Sequence, residues 1–347
     1  MKLSTQLSYS GGFKEGVAQL LDLEAAGLDV VWVAEAYGYD APSMMGYIAA
    51  KTERVTIGSG IVNIYSRTPA LLAMTAAGID FLSDGRCILG LGASGPQVIE
   101  GFHGIPYDKP VGRTREIIDI CRRTWKREPL ENDGIYQIPL PPEKGTGLGK
   151  ALKLITHPVR SEIPIYVASL GDKNVEMTAE VADGWLPIFY IPERAEDVWG
   201  ASLAAGAAKR APDLAPLDVV AGGMVGIVDD EDQARAIRDL SRPMVALYVG
   251  GMGARGKNFY NDVACRYGFE AEAREIQDLY LDGKKKEAAA AVPEAFLEGM
   301  NLVGSKAYVA DRLAAFKESG VSTLSITPVS PDPVKLTAEL RDLVDSL

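Results

Sequence analysis

Short apolar runs alternate with longer amphipathic stretches along most of the chain, and this alternation predicts strands followed by helices. The apolar runs predict strands at residues 3–9, 30–35, 55–62, 87–91, 163–169, 185–190, 217–228 and 323–328. Helical spacing, with start and stop residues, predicts helices at 13–27, 43–51, 69–82, 113–126, 173–182, about 193–210, 306–318 and 333–347, and a broken helical region over 230–300.

Repetition of a strand–helix unit predicts the fold class. Parallel strands covered on both faces read as continuous apolar runs, as these do. Eight such units favour a (β/α)8 TIM barrel. A doubly wound open sheet is the alternative, but the glycine fingerprint expected after its first strand is missing. A bare barrel needs about 250 residues, so we expect one domain over 1–347, with insertions near 128–162 and 240–300.

Composition and charge narrow the partners. Lys and Arg number 36 and Asp and Glu 47, giving a formal charge of −11, which argues against nucleic acid. Two histidines (His103, His157) and three cysteines (Cys87, Cys121, Cys265) lack metal-ligand spacing, so no metal is expected. The sparse cysteines suit a reducing compartment, and neither a signal peptide nor a long apolar span is present. We expect a soluble cytoplasmic protein with a small-molecule substrate and no membrane partner.

The chemistry of a barrel lies at the carboxyl ends of its strands. Here those ends carry Glu35 and the segments 60–63, 92–95 and 169–171, which are rich in glycine and poor in ionisable groups. A hydrolase would need paired carboxylates, a nucleophile with its base, or a metal. The pattern instead favours a site where backbone approaches a large flat ligand and a cofactor carries the chemistry.

Several of these residues also have a plainer interpretation. Gly92 to Gly95 suit either a ligand lining or a tight turn. Lys173, in the turn that opens a helix after strand five, suits a phosphate site or a solvated helix cap. Glu35 points into the barrel mouth or pairs with a neighbouring loop. A lone histidine such as His103 is more often structural than catalytic.

The same segments resemble the bacterial luciferase-like superfamily, in its coenzyme F420-dependent oxidoreductase branch, with methylene-tetrahydromethanopterin reductase as a more distant relative. The resemblance covers nearly the whole chain. The segments that carry it are VVWVAEAY (30–37), VTIGSGIVNIYSRTPALLAM (55–74), GRCILGLGASGPQVIEGFHG (85–104), IPIYVASLG (163–171), ADGWLPIF (182–189) and LVGSKAYVADRLAAFKESGV (302–321).

The resemblance implies a homodimeric barrel that binds the deazaflavin coenzyme F420 and transfers a hydride. Relatives hold a non-proline cis peptide in a bulge that ends strand three and backs the deazaflavin ring, and the matching bond here is Gly60-Ile61. Glu35 is the candidate catalytic residue. The implied cofactor-binding residues are Gly60, Ile61, Val62, Asn63, Gly92, Ala93, Ser94, Gly95, Ala168, Ser169, Leu170, Gly171 and Lys173.

Departures from the family leave the substrate open. The sugar-phosphate dehydrogenase of this superfamily carries a histidine just after the acidic residue of strand two and a glutamate in the strand-four loop. Those places here hold Ala36 and Gly95 or its neighbours, so that acid/base pair is missing. An FMN-dependent monooxygenase and a deazaflavin-binding protein without turnover remain as alternatives. Segments 145–150 and 250–260 are both candidate lids.

Overall fold

Eight parallel strands close into a barrel in the computed structural model, which describes residues 1–8 and 11–347. The strands of the described residues, those of the barrel and the shorter additional ones together, are β1 (Lys2–Leu7), β2 (Val30–Val33), β3 (Thr56–Ser59), β4 (Val62–Asn63), β5 (Cys87–Gly92), β6 (Asn132–Asp133), β7 (Gln137–Ile138), β8 (Ile165–Ala168), β9 (Gly184–Trp185), β10 (Asp218–Ala221), β11 (Met224–Ile227), β12 (Leu302–Gly304) and β13 (Thr323–Pro328). The order around the barrel is β1-β2-β3-β5-β8-β9-β10-β13, and β13 pairs with β1. The TIM-barrel prediction is therefore confirmed, and the open-sheet alternative is wrong.

Helices cover the outside of the barrel and fill its insertions. They are α1 (Phe13–Ala25), α2 (Ala41–Ala49), α3 (Pro69–Leu82), α4 (Pro96–Gly101), α5 (Pro110–Trp125), α6 (Asp172–Val181), α7 (Ala201–Ala207), α8 (Glu231–Asp239), α9 (Arg242–Ala246), α10 (Phe259–Arg266), α11 (Glu270–Leu281), α12 (Lys285–Ala290), α13 (Glu294–Met300), α14 (Lys306–Glu318) and α15 (Pro333–Asp345). No helix in the part of the chain described is long and apolar enough to cross a membrane.

Three predicted strands differ from the observed ones. Strand three stops at Ser59 and resumes as β4 after Gly60 and Ile61. The sixth is strand only at Gly184–Trp185. The seventh splits into β10 and β11 at Gly222 and Gly223, where an added Cβ would lie 2.2 and 2.1 Å from carbonyl oxygens of neighbouring segments.

Other differences lie at the chain start and in the insertions. Tyr9, the last residue of the first predicted strand, lies outside the described residues. The insertion near 128–162 carries the antiparallel hairpin β6–β7. The region over 230–300 ends just before β12, an additional strand that pairs with β11. Neither of these short pairings was predicted from the sequence.

The strands separate two cores by the alternation of their side chains. Along β2, Val31 and Val33 belong to the outer core beneath the helices, whereas Val30 and Trp32 belong to the inner core of the barrel. Trp32 and Tyr166 are the large rings of that inner core, with centroids 5.6 Å apart. The inner core thus fills the barrel below its carboxyl-terminal mouth.

A carboxylate closes the amino-terminal end of the barrel. Asp218 accepts hydrogen bonds from Tyr166 Oη at 2.6 Å, from Thr323 Oγ1 at 2.9 Å and from the Ser322 hydroxyl. Burial acts to raise the pKa of Asp218, but these donors and Lys2 outweigh it and hold the pKa below its ordinary value. Burial and the adjacent carboxylate raise the pKa of Tyr166. The polar groups at this end are therefore paired with one another.

Strand β3 lies unusually close to β5 at Ser59. The Ser59 hydroxyl accepts from the Gly90 amide at 2.8 Å and donates to the Gly90 carbonyl at 2.8 Å. A Cβ added at Gly90 would lie 1.7 Å from the Ser59 carbonyl oxygen. Because backbone cannot move aside as a flexible side chain does, only glycine fits here.

We expect Gly90→Ala to lower the free energy of unfolding by about 3 kcal/mol, since the new methyl group overpacks a rigid contact. The matched control is Gly78→Ala in α3, where a Cβ would meet nothing within 4 Å. Losing a helix-interior glycine should stabilise the protein by about 0.5–1 kcal/mol. Urea unfolding of both variants measures the difference, and equal midpoints would contradict the close contact.

Candidate active site

The mouth of the barrel contains a β-bulge at the end of strand three. Gly58 pairs with Ile88 and Val62 pairs with Leu91, so the three residues between Gly58 and Val62 lie opposite only two residues of β5. The bulge contains the cis peptide Gly60-Ile61, which confirms the sequence-based prediction of that bond. The peptide is held by hydrogen bonds from Gly60 N to Val33 O at 2.8 Å and from Glu35 N to Ile61 O at 3.2 Å.

Small and apolar side chains form the floor beside this bulge. A Cβ added at Gly92 would lie 2.8 Å from Ile61 Cδ1 and 3.6 Å from Ala168 Cβ. Ile61, Gly92 and Ala168, from three neighbouring strands, therefore share the face that looks into the mouth. Three residues predicted from the sequence, Ile61 after β3, Gly92 in β5 and Ala168 in β8, are brought together here. The floor that they form carries no charge.

The loop after β5 leads into the short helix α4 at the mouth. Ser94 has a positive φ of 56°, and Gly95 is the N-cap of α4. Tyr107 returns to this loop and donates from Oη to the Ser94 carbonyl at 3.4 Å. Burial raises the pKa of Tyr107, so its hydroxyl stays protonated near neutral pH.

Ser169 directly follows β8, and its hydroxyl and carbonyl both form hydrogen bonds within the protein. Its hydroxyl lies 2.9 Å from Thr178 Oγ1. Thr178 already donates to the Asn174 carbonyl at 2.7 Å, so Ser169 is the donor to Thr178. The Ser169 carbonyl accepts from Trp185 Nε1 at 2.9 Å. The side chain is therefore directed at α6. Of the polar groups of Ser169, the backbone amide is the one left for a ligand.

The turn that opens α6 has an exposed lysine. Gly171 is the N-cap, Lys173 is exposed, and Asp172 pairs with Arg266 at 3.0 Å. A Cβ at Gly171 would lie 3.6 Å from a ring carbon of Phe259. The phosphate interpretation of this turn stays a prediction.

Glu35 is bound on both carboxylate oxygens. Arg67 Nη1 lies 2.6 Å from Oε1 and Nη2 lies 2.8 Å from Oε2, while the Ala41 amide donates to Oε2 at 2.9 Å. The side chains of Glu35 and Arg67 are only 8% and 15% exposed. Hydrogen bonding to Glu35 raises the pKa of Arg67. This geometry favours the ion-pair interpretation, and a catalytic role for Glu35 stays a prediction.

His103 lies closer to the site than the sequence indicated. Asn63 Nδ2 is 3.4 Å from His103 Nε2, and the Cα of Asn63 is paired with that of Gly92 in the floor. Asn63 Oδ1 accepts from the amides of Tyr65 and Ser66 at 3.0 and 2.7 Å. The segment GFHG after the strand-four helix was the signal for His103, but its partner lies 40 positions away in the sequence.

Aromatic rings line the mouth between the segments that follow β2 and β5. Tyr37 and Phe102 are 66% and 65% exposed, with ring centroids 6.2 Å apart. The Tyr65 and Tyr107 rings are tilted by 35° with centroids 5.3 Å apart, and Tyr65 donates from Oη to the Asp108 carbonyl at 3.0 Å. Burial raises the pKa of Tyr65. The Tyr65 hydroxyl is therefore committed, whereas the Tyr37–Phe102 pair presents apolar surface to solvent.

One of the two candidate lids touches the site. Segment 250–260 brings Phe259 against Gly171, and Asn258 fixes this turn by donating to Tyr248 O and Val249 O at 2.9 and 3.0 Å. Residues 145–150 are all exposed, and Gly145 and Gly149 pack against Leu140 within their own insertion.

Other features of the surface lie away from the mouth. A cavity of about 300 Å³ includes Glu298 and Arg312, and another of about 330 Å³ includes Asp29 and Arg54. Among residues 1–8 and 11–347, no group of three or more histidine, cysteine or acidic side chains is placed to hold a metal ion.

Comparison with known proteins decides the family. A model of the luciferase-like monooxygenase family matches residues 1–323. The chain belongs to the luciferase-like monooxygenase family. This luciferase-like chain is 41% identical to Rv3520c of Mycobacterium tuberculosis, provisionally named a coenzyme F420-dependent oxidoreductase, over 98% of this chain and 99% of the relative. It is 28% identical to the 5,10-methylenetetrahydromethanopterin reductase of Archaeoglobus fulgidus, over 90% and 89%.

Solved structures share the luciferase-like fold. The coenzyme F420-dependent tetrahydromethanopterin reductase of Methanopyrus kandleri superposes with a TM-score of 0.81 at 22% identity, over 99% of this chain and 98% of that one. An F420-dependent secondary alcohol dehydrogenase, solved with an F420-acetone adduct, superposes with a TM-score of 0.72 at 18% identity, over 99% of this chain and 99% of that one.

Arg67→Ala should lower the free energy of unfolding by about 3 kcal/mol, because it leaves the nearly buried Glu35 carboxylate without its cation. Arg115→Ala is the matched control, since it removes an exposed bidentate pair with Glu180 and should cost at most about 1 kcal/mol. Urea unfolding at neutral pH compares the two. Equal costs would mean that the Glu35 pair is as well solvated as a surface pair.

Proposed function

We propose that this protein is a coenzyme F420-dependent oxidoreductase that transfers a hydride between the deazaflavin and a small organic substrate. The observation that carries the proposal is the uncharged floor of Ile61, Gly92 and Ala168 beside the bulge. The absence of a side chain at Gly92 leaves room for Ile61 to lie across the mouth. A flat apolar ring system suits this surface, and the 41% identical relative bears the same activity in its name.

The cofactor-binding residues that we propose are those expected from the sequence. They are Gly60, Ile61, Val62, Asn63, Gly92, Ala93, Ser94, Gly95, Ala168, Ser169, Leu170, Gly171 and Lys173. When bound, the deazaflavin supplies the carbon that gives or accepts the hydride. The bulge would back the ring, Phe259 would exclude water, and Lys173 with the α6 amides would hold a phosphate. Glu35 could move a proton only after release from Arg67.

Titration separates the cofactor alternatives. We expect purified protein to bind F420 in the micromolar range or tighter, and FMN at least tenfold more weakly, by fluorescence and calorimetry. Gly92→Val should weaken F420 binding at least tenfold, because the new side chain displaces Ile61 into the mouth. The fold should survive, since Ile61 Cδ1 is the end of a flexible side chain. Gly78→Ala is the control and should bind F420 normally.

Each other outcome points to a different function. Preference for FMN would replace the proposal with an oxygen-using monooxygenase. Tight F420 binding without hydride transfer to any carbonyl or alkene substrate would favour a deazaflavin-binding protein without turnover. Binding of neither cofactor would overturn the site assignment.

We also propose that two copies associate through the outer face of α3. Leu71, Met74, Phe81 and Leu82 are all exposed and recur at helical spacing along this helix. A contiguous apolar face of this kind is typical of an interaction surface. A twofold-symmetric dimer would bury this face on both copies at once.

Met74→Asp/Phe81→Asp should convert the dimer to a monomer, because each copy would place two carboxylates in the apolar contact. Sedimentation equilibrium measures the mass. Leu148→Asp is the control, since Leu148 is exposed in the insertion and should leave the mass unchanged. A monomeric wild-type protein at micromolar concentration would overturn this proposal.

Finally, we propose a cytoplasmic location. Cys87 and Cys121 are buried, Cys265 is partly buried, and all three are unpaired. Unpaired cysteines are typical of a reducing compartment.

A further inference from the structure

The orientation of the Asn63 amide is set by the turn that follows it. Its Oδ1 accepts from two backbone amides, those of Tyr65 and Ser66. An amide oxygen can accept these bonds and the amide nitrogen cannot. Nδ2 must therefore face the other way, where it lies 3.4 Å from His103 Nε2.

This contact selects one tautomer of His103. Because Nδ2 only donates, Nε2 of the imidazole must accept, and a neutral ring then carries its proton on Nδ1. Nδ1 of His103 has no hydrogen-bond partner among the described residues, and it is not one of the enclosed unpaired atoms. In that tautomer Nδ1–H is a donor with no acceptor among the described residues.

The ring lies beside the proposed cofactor floor. Its partner Asn63 is paired with Gly92 of that floor. Phe102, next to His103, forms the exposed aromatic pair with Tyr37. A ligand on the floor would therefore lie close to both the apolar rings and the imidazole.

Two ion pairs lie at this rim. Glu35 is paired with Arg67, and Asp108 is paired with Arg113 at 2.6 Å. No cation of these pairs is free to hold a phosphate or carboxylate of the substrate. The surroundings favour an uncharged substrate with an apolar body and one hydrogen-bond acceptor.

We propose that His103 Nδ1 donates a hydrogen bond to the carbonyl oxygen of an uncharged ketone or α,β-unsaturated ketone, and that Asn63 is the residue that positions it. The proposal rests on the proposed function, because the reduced deazaflavin is the hydride donor. His103 is a catalytic residue in this scheme, since it touches the substrate oxygen.

The step balances without a charged acid. For an unsaturated ketone, the hydride forms a C–H bond at the β carbon while the C=C electron pair moves to make the enolate. The carbonyl oxygen gains negative charge and is stabilised by the Nδ1–H donor. Water then protonates the α carbon, so the substrate gains one hydride and one proton. The imidazole keeps its proton throughout.

Nitrogen-15 NMR tests the tautomer without cofactor, and the chain contains only two histidines. At about pH 8, where an ordinary imidazole is neutral, His103 should carry its proton on Nδ1. His157 is an internal control of opposite sign: Arg127 Nη1 lies 3.3 Å from its Nδ1 and can only donate, so its proton should be on Nε2.

Asn63→Asp reverses the hydrogen bond while keeping the turn. The aspartate retains an oxygen for the amides of Tyr65 and Ser66, but replaces the Nδ2 donor with an acceptor. His103 Nε2 should then carry a proton, with no change at His157. A wild-type His103 protonated on Nε2 alone, or a tautomer that does not respond to Asn63→Asp, would overturn the positioning role.

Turnover with reduced F420 tests the catalytic role, using cyclohexanone and 2-cyclohexen-1-one as probes. His103→Phe keeps a ring but removes the donor and should lower kcat/KM about 100-fold. His103→Asn restores an N–H donor and should recover at least tenfold. Asn63→Asp should lower kcat, and His157→Phe should change nothing. F420 affinity should stay within twofold in His103→Phe.

The two proposals fail in different ways. A wild-type protein that does not bind F420 refutes the proposed function. A wild-type protein that binds F420 but turns over neither probe, or a His103→Phe variant with wild-type kcat/KM, refutes the role of His103 while the cofactor assignment stands.

Discussion

The close approach of β3 to β5 through Ser59 and Gly90 is the constraint on which the mouth depends. One hydroxyl satisfies both backbone groups of Gly90, so the pairing survives although the strand carries an extra residue. That extra residue interrupts the strand at Gly60 and Ile61. Without a glycine at position 90 the two backbones could not approach, and Ile61 would not lie over Gly92.

The bulge is compatible with a filled barrel because a large side chain of β2 occupies the space that a glycine of β3 leaves free. Trp32 fills the inner core, and a Cβ at Gly58 would lie 2.2 Å from its ring. The large ring therefore requires a residue without a side chain on the neighbouring strand. Above Trp32 the neighbouring strands place Ile61, Gly92 and Ala168 at the mouth, so the packed interior ends in an uncharged floor. Core packing and site shape are thus two results of one distribution of side-chain volume.

Apolar runs located all eight barrel strands because buried parallel strands need apolar residues on both faces. They misplaced strand ends where burial and pairing differ. Phe189 and Tyr190 are buried, but among rings of the surrounding helices and loops rather than in the sheet. The bulge position followed from a family resemblance, since GSGIV alone does not reveal a change of register. Glu35 with Arg67 and Asn63 with His103 are 32 and 40 positions apart, so local patterns place each residue but do not pair them.

The Glu35–Arg67 and Asn63–His103 pairs explain why the mouth presents little net charge although the protein is strongly acidic. Arg67 neutralises the one carboxylate at the end of β2, and the Asn63 amide offers a donor to Nε2 of His103. A neutral donor avoids the desolvation cost that a charge would incur beside an apolar floor. It also retains its hydrogen-bond strength there, since little water competes for it. The chemistry best suited to such a mouth places transient charge on the substrate oxygen rather than permanent charge on the protein.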